Sequence, residues 1–143
     1  MPKLPLEGIR IMDFGQMWAG PHVTQWLAVM GAEVIKVETR VRLDFMRMVG
    51  TPPALRDKAP NAGSAFACLN FGKKSITLNM NQPKALELAR KLVKICDVVA
   101  ENFSGGILER WGLGYSDLKK IKPDIILYSG SGYGRTGPHR ERP

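Results

Sequence analysis

The feature that most constrains the fold is a strand pattern, a helix pattern and a second strand pattern that follow one another near the start of the chain. Residues 8–14 form a short apolar run bounded by glycines, which predicts a buried strand. Pro21 suits the first turn of a helix over residues 22–30, and Gly31 suits its end. Residues 33–38 predict a second strand. Such a βαβ unit indicates a parallel sheet, which binds ligands beyond the carboxyl ends of its strands.

The remainder of the chain extends the same architecture. Three more strands are predicted over residues 74–80, 97–101 and 125–129. Residues 40–65 have no hydrophobic period and are predicted to form a long loop. A helix is predicted over residues 84–95, and its spacing places these apolar residues on one buried face: Ala85, Leu88, Leu92 and Ile95. The expected fold class is therefore α/β, an open and mostly parallel Rossmann-like sheet flanked by helices.

Charge and composition restrict the function classes. The formal net charge of +8 indicates an anionic partner, either nucleic acid or a phosphorylated cofactor. The basic residues are scattered rather than clustered with aromatic residues, so we do not expect nucleic acid binding. No apolar run approaches about 18 residues, so no membrane span is expected. Two cysteines and two histidines are too few for a disulfide framework or a metal site, and we expect reduced, mostly buried thiols in a cytoplasmic protein.

Three loops follow predicted strands and contain small or polar residues. Residues 16–21 precede a helix, so they are either a phosphate-binding turn or an ordinary connection. Residues 102–106 contain an amide, an aromatic ring and two glycines, and Arg110 follows them; they are either a ligand loop or a structured turn. Residues 129–134 are glycine-rich, which fits an anion-binding nest or a tight connection. The residues alone leave these alternatives open.

The acidic residues at the predicted strand ends do not form a recognisable catalytic set. Asp13, Asp97 and Glu101 have no evident catalytic partner, so a structural role is the favoured interpretation of each. No combination of Ser, His and Asp or of Cys and His indicates a nucleophile.

Several motifs, in a fixed order, make the chain resemble the family III CoA-transferases of the CaiB/BaiF type, which include formyl-CoA transferase. The resemblance covers essentially the whole chain. Its motifs are LEGIRIMDF at 6–14, AGP at 19–21, GAEVIKVE at 31–38, GKKSI at 72–76, DVVAENF at 97–103 and SGYGRTGP at 131–138.

This resemblance implies a function. Members transfer coenzyme A from an acyl-CoA to a carboxylic acid through an aspartyl-CoA thioester, and their full-length chains form an interlocked homodimer. Residues 1–143 correspond to the amino-terminal part of the CoA-binding Rossmann-like large domain, without the rest of that domain or the small domain. The family aspartate would lie beyond Pro143, so we expect the fragment alone to be inactive. The alternatives are an α-methylacyl-CoA racemase of the same fold and a non-catalytic CoA-binding fragment.

The resemblance also implies the residues that contact CoA, and it implies no metal. Some relatives have arginine at position 39, where this chain has threonine, and the neighbouring Arg40 can compensate. The implied CoA-binding residues are Trp18, Ala19, Thr39, Arg40, Leu78, Met80, Asn81, Asn102, Phe103, Ser104, Arg110, Ser131, Gly132, Tyr133 and Gly134.

Overall fold

The computed structural model describes residues 3–56 and 59–142, and their centre is a five-stranded sheet in which every neighbouring pair is parallel. The strands are β1 (Arg10–Asp13), β2 (Glu33–Glu38), β3 (Lys74–Thr77), β4 (Val98–Glu101) and β5 (Ile126–Ser129). Across the sheet they lie in the order β3-β2-β1-β4-β5. This arrangement confirms the predicted α/β, Rossmann-like sheet.

Five α-helices flank the sheet within the described residues. They are α1 (Ala19–Val29), α2 (Ser64–Asn70), α3 (Pro83–Val93), α4 (Ile107–Arg110) and α5 (Tyr115–Ile121). The segment predicted as a long loop contains two 3₁₀ turns, Phe45–Arg47 and Pro53–Leu55, and it leads into α2. The sequence did not predict α2 because only Leu69 of that helix is buried, which leaves no hydrophobic period to detect. None of the described helices is long and apolar enough to cross a membrane.

The two faces of the sheet carry separate hydrophobic clusters. Successive side chains of a strand point to opposite faces. Ile11 of β1 therefore packs in the cluster that includes Leu27 of α1, whereas Met12 packs in the larger cluster with residues of α3, α4 and α5. The helices thus cover both faces, and the loops at the carboxyl ends of the strands are left to form a site.

The predicted buried face of α3 was partly wrong. Ala85, Ala89 and Val93 are the buried residues of this helix, whereas Leu88 and Ile95 are exposed. The buried positions are spaced by four residues, and Ala89 and Val93 make contact with the larger hydrophobic cluster. Two larger leucines of the helix, Leu86 and Leu92, pack beside this contact as partly buried residues.

Helix α1 has an apolar outer face. Its buried residues are Gly20, Pro21 and Thr24, whereas Val23, Trp26 and Val29 are exposed. The Trp26 indole Nε1 donates a hydrogen bond to His22 Nε2 on the same helix, at 3.1 Å. These large apolar side chains therefore lie on the outer side of the helix, whereas Leu27 packs towards the sheet.

The expectation of mostly buried thiols is wrong for Cys68, which is exposed, while Cys96 is buried. Burial raises the pKa of the Cys96 thiol to about 11. We expect iodoacetamide at pH 8 to alkylate Cys68 in the folded chain and to spare Cys96, because the thiolate is the reactive form. Mass spectrometry of proteolytic peptides, with and without urea, measures both sites.

The same shift sets the sign of a pH effect. The unfolded-state thiol ionises at a lower pH than folded Cys96, so its contribution to stability is present below the ordinary pKa and is lost as pH rises towards about 11.

Equal alkylation of both cysteines in the folded chain would contradict the burial of Cys96.

Candidate functional site

A cavity of about 710 Å³ opens at the carboxyl ends of the strands. This volume lies within the range of small-molecule and cofactor sites. Its walls come from the loops after β1, β2, β3, β4 and β5 and from α4, as expected for a parallel α/β sheet. The residues implied by the resemblance that line it are Trp18, Ala19, Thr39, Leu78, Met80, Asn81, Asn102, Phe103, Ser104, Ser131 and Gly132.

Four of the implied residues lie outside the cavity lining: Arg40, Arg110, Tyr133 and Gly134. The Arg110 guanidinium nevertheless lies beside Gly106, in the loop that follows β4. Tyr133 is exposed and packs edge-on against the His139 ring, with centroids 5.8 Å apart. These residues are near the site, but the described structure does not place them in its wall.

Three aromatic rings form one side of the cavity. Trp111 packs edge-on against Phe103, with ring centroids 5.5 Å apart, and tilted against Phe14, with centroids 5.7 Å apart. All three residues line the cavity. This apolar and aromatic surface suits a ligand with a long uncharged portion or a flat ring.

The turn after β1 has a fixed backbone. Gly15 N donates to Asp13 Oδ1 at 2.7 Å, Gln16 N to Asn102 Oδ1 at 2.8 Å and Met17 N to a carboxylate oxygen of Asp44 at 3.1 Å. Because these three amides already have acceptors, they do not form a phosphate cradle. The structure thus favours the interpretation that this part of the turn is an ordinary connection between a strand and a helix.

Asn102 shapes the site through this same turn. Its Nδ2 also donates to Gln16 O at 2.8 Å, so the carboxamide bonds both the backbone N–H and the backbone carbonyl of Gln16. A Cβ at Gly20 would lie 2.8 Å from Asn102 Oδ1, so the start of α1 requires glycine there. The polar groups of Asn102 therefore hold the wall of the cavity together.

A buried ion pair lies behind the turn. Lys73 Nζ is 2.9 Å from Asp13 Oδ2, and the two side chains are 1% and 0% exposed. Lys73 also donates to Thr24 Oγ1 at 2.8 Å and to Asn70 Oδ1 at 3.0 Å. Burial lowers the pKa of Lys73, although the charge of Asp13 opposes this. Asp13 thus has the structural role favoured from the sequence.

Glu101 joins the loops after β4 and β5. Its buried carboxylate accepts hydrogen bonds from Phe103 N at 2.6 Å, from Arg135 Nη1 at 2.7 Å and from Ser129 Oγ. Arg135 also bonds Glu109 at the protein surface. The loops after β4 and β5 both contribute residues to the cavity lining, so this carboxylate fixes the position of one loop relative to the other.

Ser131 provides a polar group without a protein partner. Within the described residues, its Oγ is the buried side-chain polar atom that has no hydrogen bond. Buried hydroxyls are normally hydrogen-bonded. Because Ser131 lines the cavity, its hydroxyl is available to a ligand.

Comparison with known proteins assigns the family. The model described as CoA-transferase family III matches residues 6–143. The chain belongs to CoA-transferase family III. This confirms the family resemblance of the sequence motifs.

Two curated family III relatives and one solved structure show the extent of the match. The succinyl-CoA–L-malate CoA-transferase beta subunit of Chloroflexus aurantiacus is 40% identical, with 98% of this chain and 33% of that protein covered. The succinyl-CoA:glutarate CoA-transferase of Mus musculus is 44% identical, with 96% and 30% covered. The crystal structure of a CaiB/BaiF family protein from Brucella suis has a TM-score of 0.86 and 39% identity, with 99% and 37% covered. The family III chain therefore spans about a third of the length of these proteins.

Several lining residues of this family III chain were not predicted, including Gln16, Met17, Arg42 and Trp111. Arg42 lies two positions beyond the predicted Arg40. The path of the chain after β2 places Arg42 in the cavity lining and leaves Arg40 outside it. Trp111 ends the short helix α4, and a sequence pattern does not show which face of so short a helix meets a cavity. The metal-ligand side chains of the described residues form no cluster of three.

Proposed function

We propose that this chain forms the CoA-binding part of a CoA-transferase, which moves coenzyme A from an acyl-CoA to a carboxylic acid. The observation that carries the proposal is the 710 Å³ cavity at the carboxyl ends of the strands, in a chain whose family is CoA-transferase family III. Its aromatic side suits the adenine ring or the pantetheine arm, and its rim suits the phosphates.

The proposed CoA contacts, which include the unpredicted lining residues Arg42 and Trp111, divide into three kinds. Phe103 and Trp111 supply apolar surface, and Ser131 supplies a free hydroxyl. Arg42 supplies a positive charge in the lining, on the β2 side of β1, and Arg110 supplies another beside Gly106 on the β4 side. CoA has both a pyrophosphate and a 3′-phosphate, so two separated arginines match its charge distribution.

The described carboxylates near the cavity are engaged in structural bonds. Glu38 lines the cavity but pairs with Arg47, with 2.7 Å between Glu38 Oε1 and Arg47 Nε. Asp13 pairs with Lys73, and Glu101 holds the loops. We therefore assign the aspartyl-CoA step to an aspartate outside these 143 residues. That carboxylate would attack the thioester carbonyl and release the CoA thiolate, which would then attack the mixed anhydride to form the aspartyl thioester and free the donor acid.

The names of the relatives suggest the first substrates to test. The two curated relatives described above are both named for succinyl-CoA, so succinyl-CoA is the first donor, with malate and glutarate as acceptors. The interlocked homodimer implied by the resemblance would give the exposed Val23 and Trp26 of α1 a surface to pack against. Analytical ultracentrifugation of the full-length protein tests that assembly.

Calorimetric titration of residues 1–143 with CoA tests the binding proposal, and mass spectrometry of the same chain with succinyl-CoA and malate tests turnover. We expect CoA to bind at one site and no new thioester to form. Absence of CoA binding by the folded chain would overturn the proposed function. Turnover that one Asp or Glu substitution within the chain abolishes would show that the nucleophile lies here.

Arg42→Ala is expected to weaken CoA binding roughly ten-fold, because a hydrogen bond to a charged group contributes about 1.5–3 kcal/mol. Arg110→Ala tests the other proposed phosphate contact by the same titration. Lys91→Ala is the control, since this substitution removes the same positive charge from the exposed surface of α3, where Lys91 pairs with Glu87. If Arg42→Ala and Lys91→Ala have equal effects, general attraction rather than contact explains the role of Arg42.

A further inference from the structure

Met17 has an unusual backbone conformation in the cavity wall. Its φ of 63° makes it the one non-glycine residue with positive φ in the described part of the chain. Methionine has no short polar side chain to stabilise a left-handed conformation, which is unfavourable for residues with a Cβ. Backbone strain of this kind persists only where surrounding contacts impose it, and it occurs often at functional sites.

A fully buried ion pair contacts the backbone of this turn. Asp44 Oδ1 accepts hydrogen bonds from Met17 N at 3.1 Å and from Met46 N at 3.0 Å. Asp44 Oδ2 lies 3.1 Å from Lys36 Nζ, and Lys36 Nζ donates to Gly15 O at 2.6 Å. The side chains of Lys36 and Asp44 are 2% and 0% exposed. The pair therefore holds the turn after β1 at two backbone positions on either side of Gln16.

The same aspartate connects two segments of the cavity lining, which follow the neighbouring strands β1 and β2. On one side, Met17 is followed by Trp18 and Ala19, which line the cavity. On the other side, Val41 and Arg42 also line it, and Asp44 follows two positions after Arg42 in the chain. The hydrogen bond from Met17 N to Asp44 thus fixes the distance between the turn after β1 and the segment after β2.

We propose that Asp44 is a positioning residue for the CoA cavity, which holds Met17 in its left-handed conformation so that the two segments of the lining stay in register. This inference rests on the proposed function for its ligand. The ordinary alternative is that Lys36 and Asp44 are a buried structural pair with no effect on the conformation of Met17. Substitutions at position 17 separate the two, because glycine adopts a φ of 63° without the steric penalty that alanine keeps.

The experiment first removes the ion-pair charge with Lys36→Met in every variant, so that no lysine is left buried without its partner. Asp44→Asn then keeps an amide oxygen for Met17 N, while Asp44→Ala removes it. We expect the Lys36→Met/Asp44→Ala protein to bind CoA about five-fold more weakly than the Lys36→Met/Asp44→Asn protein. Adding Met17→Gly to the weaker protein should restore most of the difference, and adding Met17→Ala should not. Equal affinities for the glycine and alanine versions overturn the proposal.

A ligand-free measurement separates this proposal from the proposed function. Met17→Gly should give a higher Tm than Met17→Ala when position 44 keeps its acceptor, and the advantage should shrink with Asp44→Ala, because the strain can then relax. An unchanged advantage overturns the role of Asp44 even if CoA binds. If the unsubstituted chain binds no CoA, the proposed function fails, and this thermal cycle still decides whether Asp44 holds Met17.

Discussion

Lys73→Met is expected to lower the free energy of unfolding by about 3–5 kcal/mol, because it leaves the buried Asp13 carboxylate without its cation. Lys73 Nζ also donates to Pro21 O, at 2.8 Å, as well as to Thr24 and Asn70. The ammonium therefore joins the end of β1, the start of α1 and the end of α2. Urea unfolding followed by far-UV circular dichroism measures the loss, and the Tm should fall by roughly 10 °C.

The neighbouring lysine provides a matched control. Lys74→Met makes the same chemical change one residue further along, but the Lys74 side chain is 71% exposed and pairs with Glu33 at the surface. Surface ion pairs of this kind contribute little. We expect the Lys74 variant to unfold close to the unsubstituted chain. Similar losses for both variants would mean that the contacts of Lys73 do not carry the stability assigned to them.

The order of the five strands, with helices α1 and α3 between them, could be predicted because the apolar runs are short, bounded by glycine or proline, and spaced as βαβ units require. The prediction failed where burial depends on the partner rather than on the pattern. In α1, the small residues Gly20 and Thr24 are buried, whereas the large apolar Trp26 is exposed. In α3, Ala89 is buried instead of Leu88, because the helix turns the face that carries Ala85, Ala89 and Val93 towards the core.

The edge of the sheet that carries the cavity could also be predicted, because parallel strands direct their following loops to one edge. The roles of individual residues could not be. Asn102 has the side chain of a ligand contact, but its carboxamide accepts from Gln16 N and donates to Gln16 O, 86 residues away in the chain. No spacing rule reveals such a long-range partner. The same limit applies to the hydrogen bond from Met17 N to Asp44.

Glu101→Ala is expected to weaken CoA binding on the order of ten-fold or more and to destabilise the fold by about 3 kcal/mol. The substitution removes the acceptor shared by Phe103 N, Ser129 Oγ and Arg135 Nη1. The guanidinium of Arg135, whose side chain is 23% exposed, would then keep only its half-exposed partner Glu109. Calorimetric titration with CoA and urea unfolding, on the same samples, measure both effects.

The matched control for this change acts on the other carboxylate of the same arginine. Glu109→Gln affects the bond from Arg135 to a half-exposed side chain, so it should leave affinity and stability nearly unchanged. Glu101→Gln should fall between the two, because its amide oxygen can still accept from Phe103 N while the charge facing Arg135 is lost. If Glu101→Ala does not fold, the Glu101→Gln variant tests the role of the carboxylate instead. A folded Glu101→Gln protein with unchanged CoA affinity would show that the loops after β4 and β5 reach their positions without this carboxylate.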